Sequence, residues 1–333
     1  MNCDSIVIGT ATFDTFLKGF KYEIINSNVY ANGKALAIAY GSKEKVEIID
    51  HQAGGGAVNI ALCLARLRLK TNIIIRICKD YEGDFILNTL KSQGNIFTNY
   101  IQFDRNIKTA SSCVLVTGDG ERTILSYKGC GQNLVIDSKI LNKIKTHMLV
   151  ASTIAGNSTN FQAIFEYKKQ HPETILIANP GVADIEILRK HKEWLHYYDV
   201  FIVNQEEATY LSDIDYKKVK ELFTWLDKYV EGICIMTMGA DGLIFSDRNN
   251  IYTAKNSEDV VVVDSTGAGD AFVSGFTAGY YQKHDPIYAV KFGLANSSQV
   301  IEKIGANIGS LSLADLKLER WKNDFEIIQV NKI

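Results

Sequence analysis

The stretch Asp264-Ser265-Thr266-Gly267-Ala268-Gly269-Asp270-Ala271-Phe272 decides the fold. It follows a valine run at 260–263, read as a strand, and opens an apolar helical pattern over 268–281. Small residues at 267–269 let backbone N–H groups converge on one anion, with the positive end of the helix behind them. Asp270 stands in the first turn, within reach of the same point. Strand, glycines and helix in succession therefore read as a phosphate cradle with a base beside it. The plainer alternative is a tight βα turn with an ordinary acidic first-turn residue.

The same alternation extends outward. Short β-branched runs at 5–9, 72–78, 148–152, 174–178, 199–203 and 232–237 alternate with helical patterns at 58–69, 84–93, 161–170 and 217–229. Repeated βα units predict a mostly parallel central sheet flanked by helices on both faces. Two stretches break the rhythm. Residues 19–52 are rich in Lys, Asn and Tyr, with strand-like pieces at 36–40 and 46–49 and no helix. Residues 111–117 and 122–127 alternate around Gly118-Asp119-Gly120, the turn chemistry of a hairpin. We expect one α/β domain over 1–333, with a lid subdomain of small β-sheet built from insertions at about 15–52 and 100–130.

Composition excludes several classes. Of 333 residues, 46% are hydrophobic, enough for a large core, and 36 basic against 38 acidic residues leave a formal charge of −2. No general basic surface invites nucleic acid or an anionic membrane. Cys3, Cys63, Cys78, Cys113, Cys130 and Cys234 are scattered without a C-x-x-C pair. Reduced thiols and the lack of a basic, apolar leader after Met1 place the expectation in the cytoplasm. P-loop, nucleophile-elbow and H-E-x-x-H patterns are missing from the sequence.

A second glycine string, Gly54-Gly55-Gly56-Ala57-Val58-Asn59, also enters a helix. It permits close backbone approach to a ligand, and Asn59 can donate to and accept from hydroxyls. Gly54-x-Gly56 with Asp80 further on is the rival dinucleotide fingerprint, against which the polar Asn59 argues. Asp14 follows the first strand, at the sheet end where open α/β folds bind ligands. Asn204 and Glu207 end another strand and suit hydrated Mg²⁺ near phosphates, or simply a helix cap. Thr237-Met238-Gly239-Ala240-Asp241-Gly242 reads as a turn lining a nucleotide site or a plain β-turn.

Together these motifs resemble the ribokinase-like, or PfkB, family of carbohydrate kinases along nearly the whole chain. Residues 264–272 resemble D-[ST]-T-G-A-G-D-x-F, and 54–59 resemble G-G-x-x-x-N. Asp80-Tyr81-Glu82-Gly83 is similar to the family's G-x-D-x-x-G without its first glycine, 204–207 resemble N-x-x-E, and 237–242 resemble T-x-G-x-x-G. The resemblance implies an ATP- and Mg²⁺-dependent kinase acting on a hydroxymethyl group of a small sugar. Asp270 would be the general base, and the N–H groups of Gly267, Ala268 and Gly269 would steady the transferred phosphoryl group. Asp14, Gly55, Gly56 and Asn59 would hold the sugar. Asn204, Glu207, Thr237, Gly239, Gly242 and Asn296 would serve the nucleotide, with Mg²⁺ held by Glu207 through water. Asp264, Thr266 and Gly305 would hold a monovalent cation such as K⁺, and the lid would join two copies in a homodimer.

Departures bear on the substrate. Thr12 stands where ribokinases carry Asn, and Gly56 stands where many carry Lys, both pointing away from ribose itself. Tyr22, Tyr30 and Tyr40 in the insertion would suit stacking on a nucleoside base, making a nucleoside kinase the nearest rival. A non-catalytic sugar- or nucleotide-binding regulator is the rival of another class.

Overall fold

The computed structural model describes residues 2–29, 33–118, 121–256, 260–312, 314–315 and 325–330. Asp119, Gly120 and Tyr30 lie outside them. Among the described residues, ten strands form the central sheet. Ile233–Thr237, Val200–Asn204, Ile175–Ala178, Lys145–Ala151, Asn2–Ile8, Thr71–Ile74 and Ile96–Phe97 run parallel in that order. Leu243–Ser246, Ile251–Ala254 and Ile327–Val330 extend one edge antiparallel.

The parallel strands are buried on both faces, which is why they read as unbroken apolar runs instead of alternating ones. Successive residues feed opposite cores. Val7, Ile73, Val150, Ile177 and Ile202 pack beneath the helices Gly56–Arg66, Ala268–Lys283 and Pro286–Ile301. Ile6, Ile8, Ile74, Leu149, Phe201 and Met236 face Ser158–Gln170, Gln205–Ser212 and Val219–Tyr229.

A separate four-stranded sheet has the order Arg122–Tyr127, Ser111–Val116, Thr12–Lys18, Ile48–Gly54. Both irregular stretches contribute to it, but they meet through Thr12–Lys18, a strand not among the runs read from the sequence. The piece expected at 36–40 instead forms the hairpin Glu23–Asn26 with Lys34–Ala37, outside that sheet. Phe16 and Val114 are buried on the sheet's inner face against Ile304, so this face looks onto the main domain.

Two further expectations are corrected. The valines at 260–263 are not a strand. The side chains of Val261 and Val262 are exposed, and the N–H groups of Val263 and Asp264 donate to the Ile301 carbonyl, tying the run to the end of a helix instead of to a sheet. The run expected at 72–78 is split at Ile75: Thr71–Ile74 stays in the central sheet, while Arg76–Cys78 leaves it to pair with Gln102–Asp104.

Candidate active site

The two glycine strings, far apart in the chain, meet in one cleft of about 360 Å³ between the carboxyl ends of the parallel strands and the small sheet. The helix Ala268–Lys283 starts there. Its N-cap, Gly267, has φ 78°, and a Cβ would stand 2.2 Å from the Ala306 carbonyl oxygen, so only glycine can turn the chain into the helix at this place. The Ala268 N–H turns back to the Ser265 carbonyl, while Gly267 and Gly269 line the cleft at the helix start, where the helix dipole favours an anion.

Asp264 does not face that opening. It is 1% exposed, and its carboxylate accepts from the N–H and hydroxyl of Thr266 and from the Gly305 N–H. The three residues expected to surround a monovalent cation are thus joined to each other, with Asp264 as the knot of the loop.

Asp270 lines the cleft beside the start of that helix. Asn59 donates its side-chain amide to Asp270 Oδ2 at 2.8 Å. The carboxyl is pushed up to about 6, because enclosure disfavours the charge; the Asn59 hydrogen bond opposes this, and the Asp14 charge adds to it. At neutral pH the group is an ionised base of raised basicity.

Asn59 itself is 4% exposed, so its position changes the expectation for it. The Asn307 amide donates to Asn59 Oδ1 and to the Ala53 carbonyl, while Arg66 donates to the carbonyls of Asn307 and Ile308. A chain of donors therefore runs from Arg66 through Asn307 and Asn59 to Asp270. Asn59 positions the carboxylate, and nothing local in the sequence marked Asn307 or Arg66, which act across more than 200 residues of chain.

Asp14 lies within the lid strand Thr12–Lys18, not at the end of a central strand as expected. It faces Ser112 and Gln52 across the sheet, and Ser112 donates to Asp14 Oδ1 at 2.6 Å. Burial pushes the Asp14 carboxyl up to about 6 against that hydrogen bond. Gly54 makes the room: a Cβ there would lie 1.9 Å from Asp14 Oδ2. Gln52, in the same row, is 8% exposed and keeps its Oε1 unpartnered among the described residues. Gly56 also lines the cleft, where a Cβ would meet Ser152 Oγ at 2.3 Å and Asp270 Oδ1 at 3.5 Å.

On the opposite wall, Asn204 and Glu207 form a reciprocal cap. Asn204 Oδ1 accepts from the Glu207 N–H, and Glu207 Oε2 accepts from the Asn204 N–H. The plain helix-cap reading thus holds geometrically, yet both residues line the cleft. Burial pushes Glu207 up to about 7; the Asn204 N–H opposes this, and the Asp270 and Glu206 charges reinforce it. Two carboxylates, Glu207 and Asp270, lining one cleft are a donor set suited to a hard divalent cation. Thr237 joins the same wall. Gly239 and Gly242 form a tight turn beyond it, closed by the Met238 N–H on the Gly242 carbonyl.

Three expectations do not survive. Asn296 is fully buried. Its amide donates to the Ala271 carbonyl and the Ser274 hydroxyl, and its Oδ1 accepts from the Leu311 N–H. It ties two helices and a loop together and has no surface left for a nucleotide. Asp80 caps its own helix through Gly83 and accepts from the Thr109 hydroxyl and N–H. Burial works against its charge, but these bonds hold its carboxyl below the usual range; nothing remains for a ribose, which removes the dinucleotide alternative. Among the described residues, Tyr22 and Tyr40 form no stacking platform. Tyr22 Oη accepts from the Gly118 N–H, and Tyr40 projects fully into solvent.

Among the described residues, no cluster of three or more His, Cys, Asp or Glu gathers for a metal, and no helix is long and apolar enough to cross a membrane. The six cysteines are free thiols.

Residues 21–313 match the pfkB family of carbohydrate kinases. The 5-dehydro-2-deoxygluconokinase of Geobacillus kaustophilus is 25% identical over 290 residues, covering 81% of this chain and 85% of its own. Mouse ribokinase is 24% identical over 240 residues, covering 68% and 72%. The Arabidopsis thaliana ribokinase structure with ribose and ATP superposes with a TM-score of 0.74 at 18% identity, covering 96% of this chain and all of that one.

Proposed function

The chain belongs to the pfkB family of carbohydrate kinases, and from that membership and the cleft we propose how its residues divide the work of an ATP-dependent sugar kinase, a phosphotransferase with an alcohol acceptor. The observation that carries the reading is Asp270, a carboxylate of raised basicity held by Asn59 in the cleft that Gly267, Ala268 and Gly269 line at the helix start.

Phosphoryl transfer needs positioning and charge stabilisation more than covalent chemistry. Asp270 accepts the proton of the acceptor hydroxyl as its oxygen bonds to the γ-phosphorus of ATP. The bond from that phosphorus to the bridging oxygen breaks, and ADP leaves. The N–H groups at 267–269 receive the charge on the transferred group, and a positioned base contributes about 10²- to 10⁴-fold. Asp14, steadied by Ser112, orients the sugar hydroxyls with Gly55 and Gly56 at the backbone, and the unpartnered Gln52 Oε1 adds an acceptor in the same row. Asn204, Thr237, Gly239 and Gly242 line the nucleotide.

Mg²⁺, which would neutralise the phosphates, suits Glu207 acting through water; K⁺ suits the backbone of the loop tied by Asp264, Thr266 and Gly305. The acceptor is a hydroxymethyl group of a small carbohydrate. Among the described residues Tyr22 is engaged and Tyr40 stands in solvent, so neither offers a platform for a base, and a sugar or sugar acid fits better than a nucleoside. Exposed Ile49, Leu125 and Tyr127 on the outer face of the lid suit a homodimer through that sheet. We place the enzyme in the cytoplasm, without nucleic-acid or membrane partners.

The test is ADP release with Mg-ATP over pentoses, hexoses, deoxy sugar acids and nucleosides, with Asp270→Asn alongside. Turnover on one acceptor that drops at least 10²-fold in Asp270→Asn is expected. Equal turnover by the two proteins would remove Asp270 as the base, and preference for a nucleoside would overturn the acceptor class.

A further inference from the structure

We infer that Asp184 is a positioning residue for the acceptor, a single carboxylate that joins the two loops forming the cleft wall beside Asp270. This role rests on the kinase reading above and falls to a residue that no motif marked. Asp184 lies in the first turn of the helix Val182–Lys190 and is 0% exposed. An ordinary cap at that place would serve its own helix start alone. Asp184 Oδ2 does accept from the Gly181 N–H at 3.3 Å, but its shorter bonds go elsewhere. Oδ2 also accepts from the Ile154 N–H at 2.8 Å, and Oδ1 accepts from the Gly156 N–H at 2.7 Å.

The two loops follow neighbouring parallel strands, Lys145–Ala151 and Ile175–Ala178. Ser152 and Thr153 of one and Asn179, Pro180 and Gly181 of the other line the cleft. No cation among the described residues forms an ion pair with Asp184. Its three N–H donors therefore hold the buried charge, and the charge in turn holds them. The first loop needs that hold. Ala155, between two of the donors, has φ 69°. A non-glycine residue in the left-handed region stores strain and persists only where its surroundings fix it. Here the fixing is done on both sides at once, since Ile154 and Gly156 are both bound to Asp184.

Ser152 ties this wall to the chemistry. The point where a Cβ of Gly56 would stand lies 2.3 Å from Ser152 Oγ and 3.5 Å from Asp270 Oδ1. Asn59 occupies the other oxygen of the base, Oδ2. The wall therefore stands next to the oxygen left for the acceptor hydroxyl. Shifting it by about 1 Å would misplace that hydroxyl against the base, at a cost of up to about 10²-fold in rate. Asn204 and Glu207, on the nucleotide side, are held by their own reciprocal cap and do not depend on Asp184.

The experiment compares wild type, Asp184→Asn, Ala155→Val and the double variant Asp184→Asn with Ala155→Gly in the ADP-release assay, with thermal melts to show folding. Asp184→Asn keeps the shape but turns an NH₂ group toward N–H donors. We expect kcat/KM for the acceptor to fall about 10- to 10²-fold, while the KM for ATP changes less than about threefold. Glycine takes the φ of position 155 without strain, so the double variant should recover at least about threefold of that loss. Ala155→Val, whose branched side chain resists that φ, should lower acceptor kcat/KM with Asp184 intact. If Asp184→Asn does not fold, Ala155→Val decides. A folded Asp184→Asn or Ala155→Val with acceptor kcat/KM within about threefold of an active wild type overturns the inference and leaves the kinase reading standing. A loss shared equally by acceptor and ATP, without rescue by Ala155→Gly, reduces Asp184 to a helix cap and also overturns it. A wild type that releases no ADP with any acceptor removes the kinase reading and the inference together.

Discussion

Asn59 and Asp270, 211 residues apart, are joined by one hydrogen bond of 2.8 Å that acts against the burial of the carboxylate. Asn59→Leu removes the donor and leaves the enclosure. The Asp270 pKa should then climb above about 6. A base works only when deprotonated, so the acidic limb of kcat/KM against pH should move up by about one unit, the scale of one hydrogen bond to a charged group. Activity at pH 8.5 should suffer less than activity at pH 6.5. An unmoved limb in the variant would show that Asn59 does not tune this carboxylate.

Metal binding should couple to pH. Asp14 and Asp270 are raised to about 6 and Glu207 to about 7, all above the 3.8 and 4.5 of ordinary carboxyls. Between about pH 4 and pH 7 the native chain therefore holds more protons than the unfolded one, and stability falls as pH rises through that window. Carboxyls held low by their partners, such as Asp80 and Asp315, change sides only below it. Mg²⁺ at the ionised cleft reverses the trend, so the Tm gained on adding it should grow from pH 5.5 to pH 8. Thermal melts with and without Mg²⁺ measure this; a gain that is equal or larger at pH 5.5 would count against Glu207 and Asp270 as the cation's seat.

Asn296 should behave as a structural residue. Asn296→Ala strips partners from the Ala271 carbonyl and the Leu311 N–H in a fully buried place, at a cost of about 2 to 3 kcal/mol. The melting temperature should drop by several degrees, while the KM for ATP, measured well below it, stays within twofold. A tenfold rise in that KM with an unchanged melting temperature would restore Asn296 to the nucleotide site.

Much of the architecture was legible because the relevant physics is local. Apolar runs buried on two faces, glycines at strand-to-helix turns and Asp270 in a first helical turn are each written within about ten residues. The misreadings share the opposite property. Val260 to Val263 have strand composition, but among the described residues no strand pairs with them, and the Ile301 carbonyl takes the N–H groups of Val263 and Asp264 instead. Thr12–Lys18 was not read as a strand because its partners, Ile48–Gly54 and Ser111–Val116, lie 30 to 100 residues away along the chain.

By itself, the sequence determined the α/β class, the two glycine strings and their acidic and amide residues, since backbone conformation and helix-end electrostatics depend on residue type and immediate order. Only the tertiary structure decided what those side chains do. It turned Asn59 from a presumed sugar contact into the support of Asp270, withdrew Asn296 into the core, and set Asp184 between two loops of the cleft wall. A hydrogen bond between groups more than a hundred residues apart depends on how strands and helices pack, and no spacing in the chain encodes that distance.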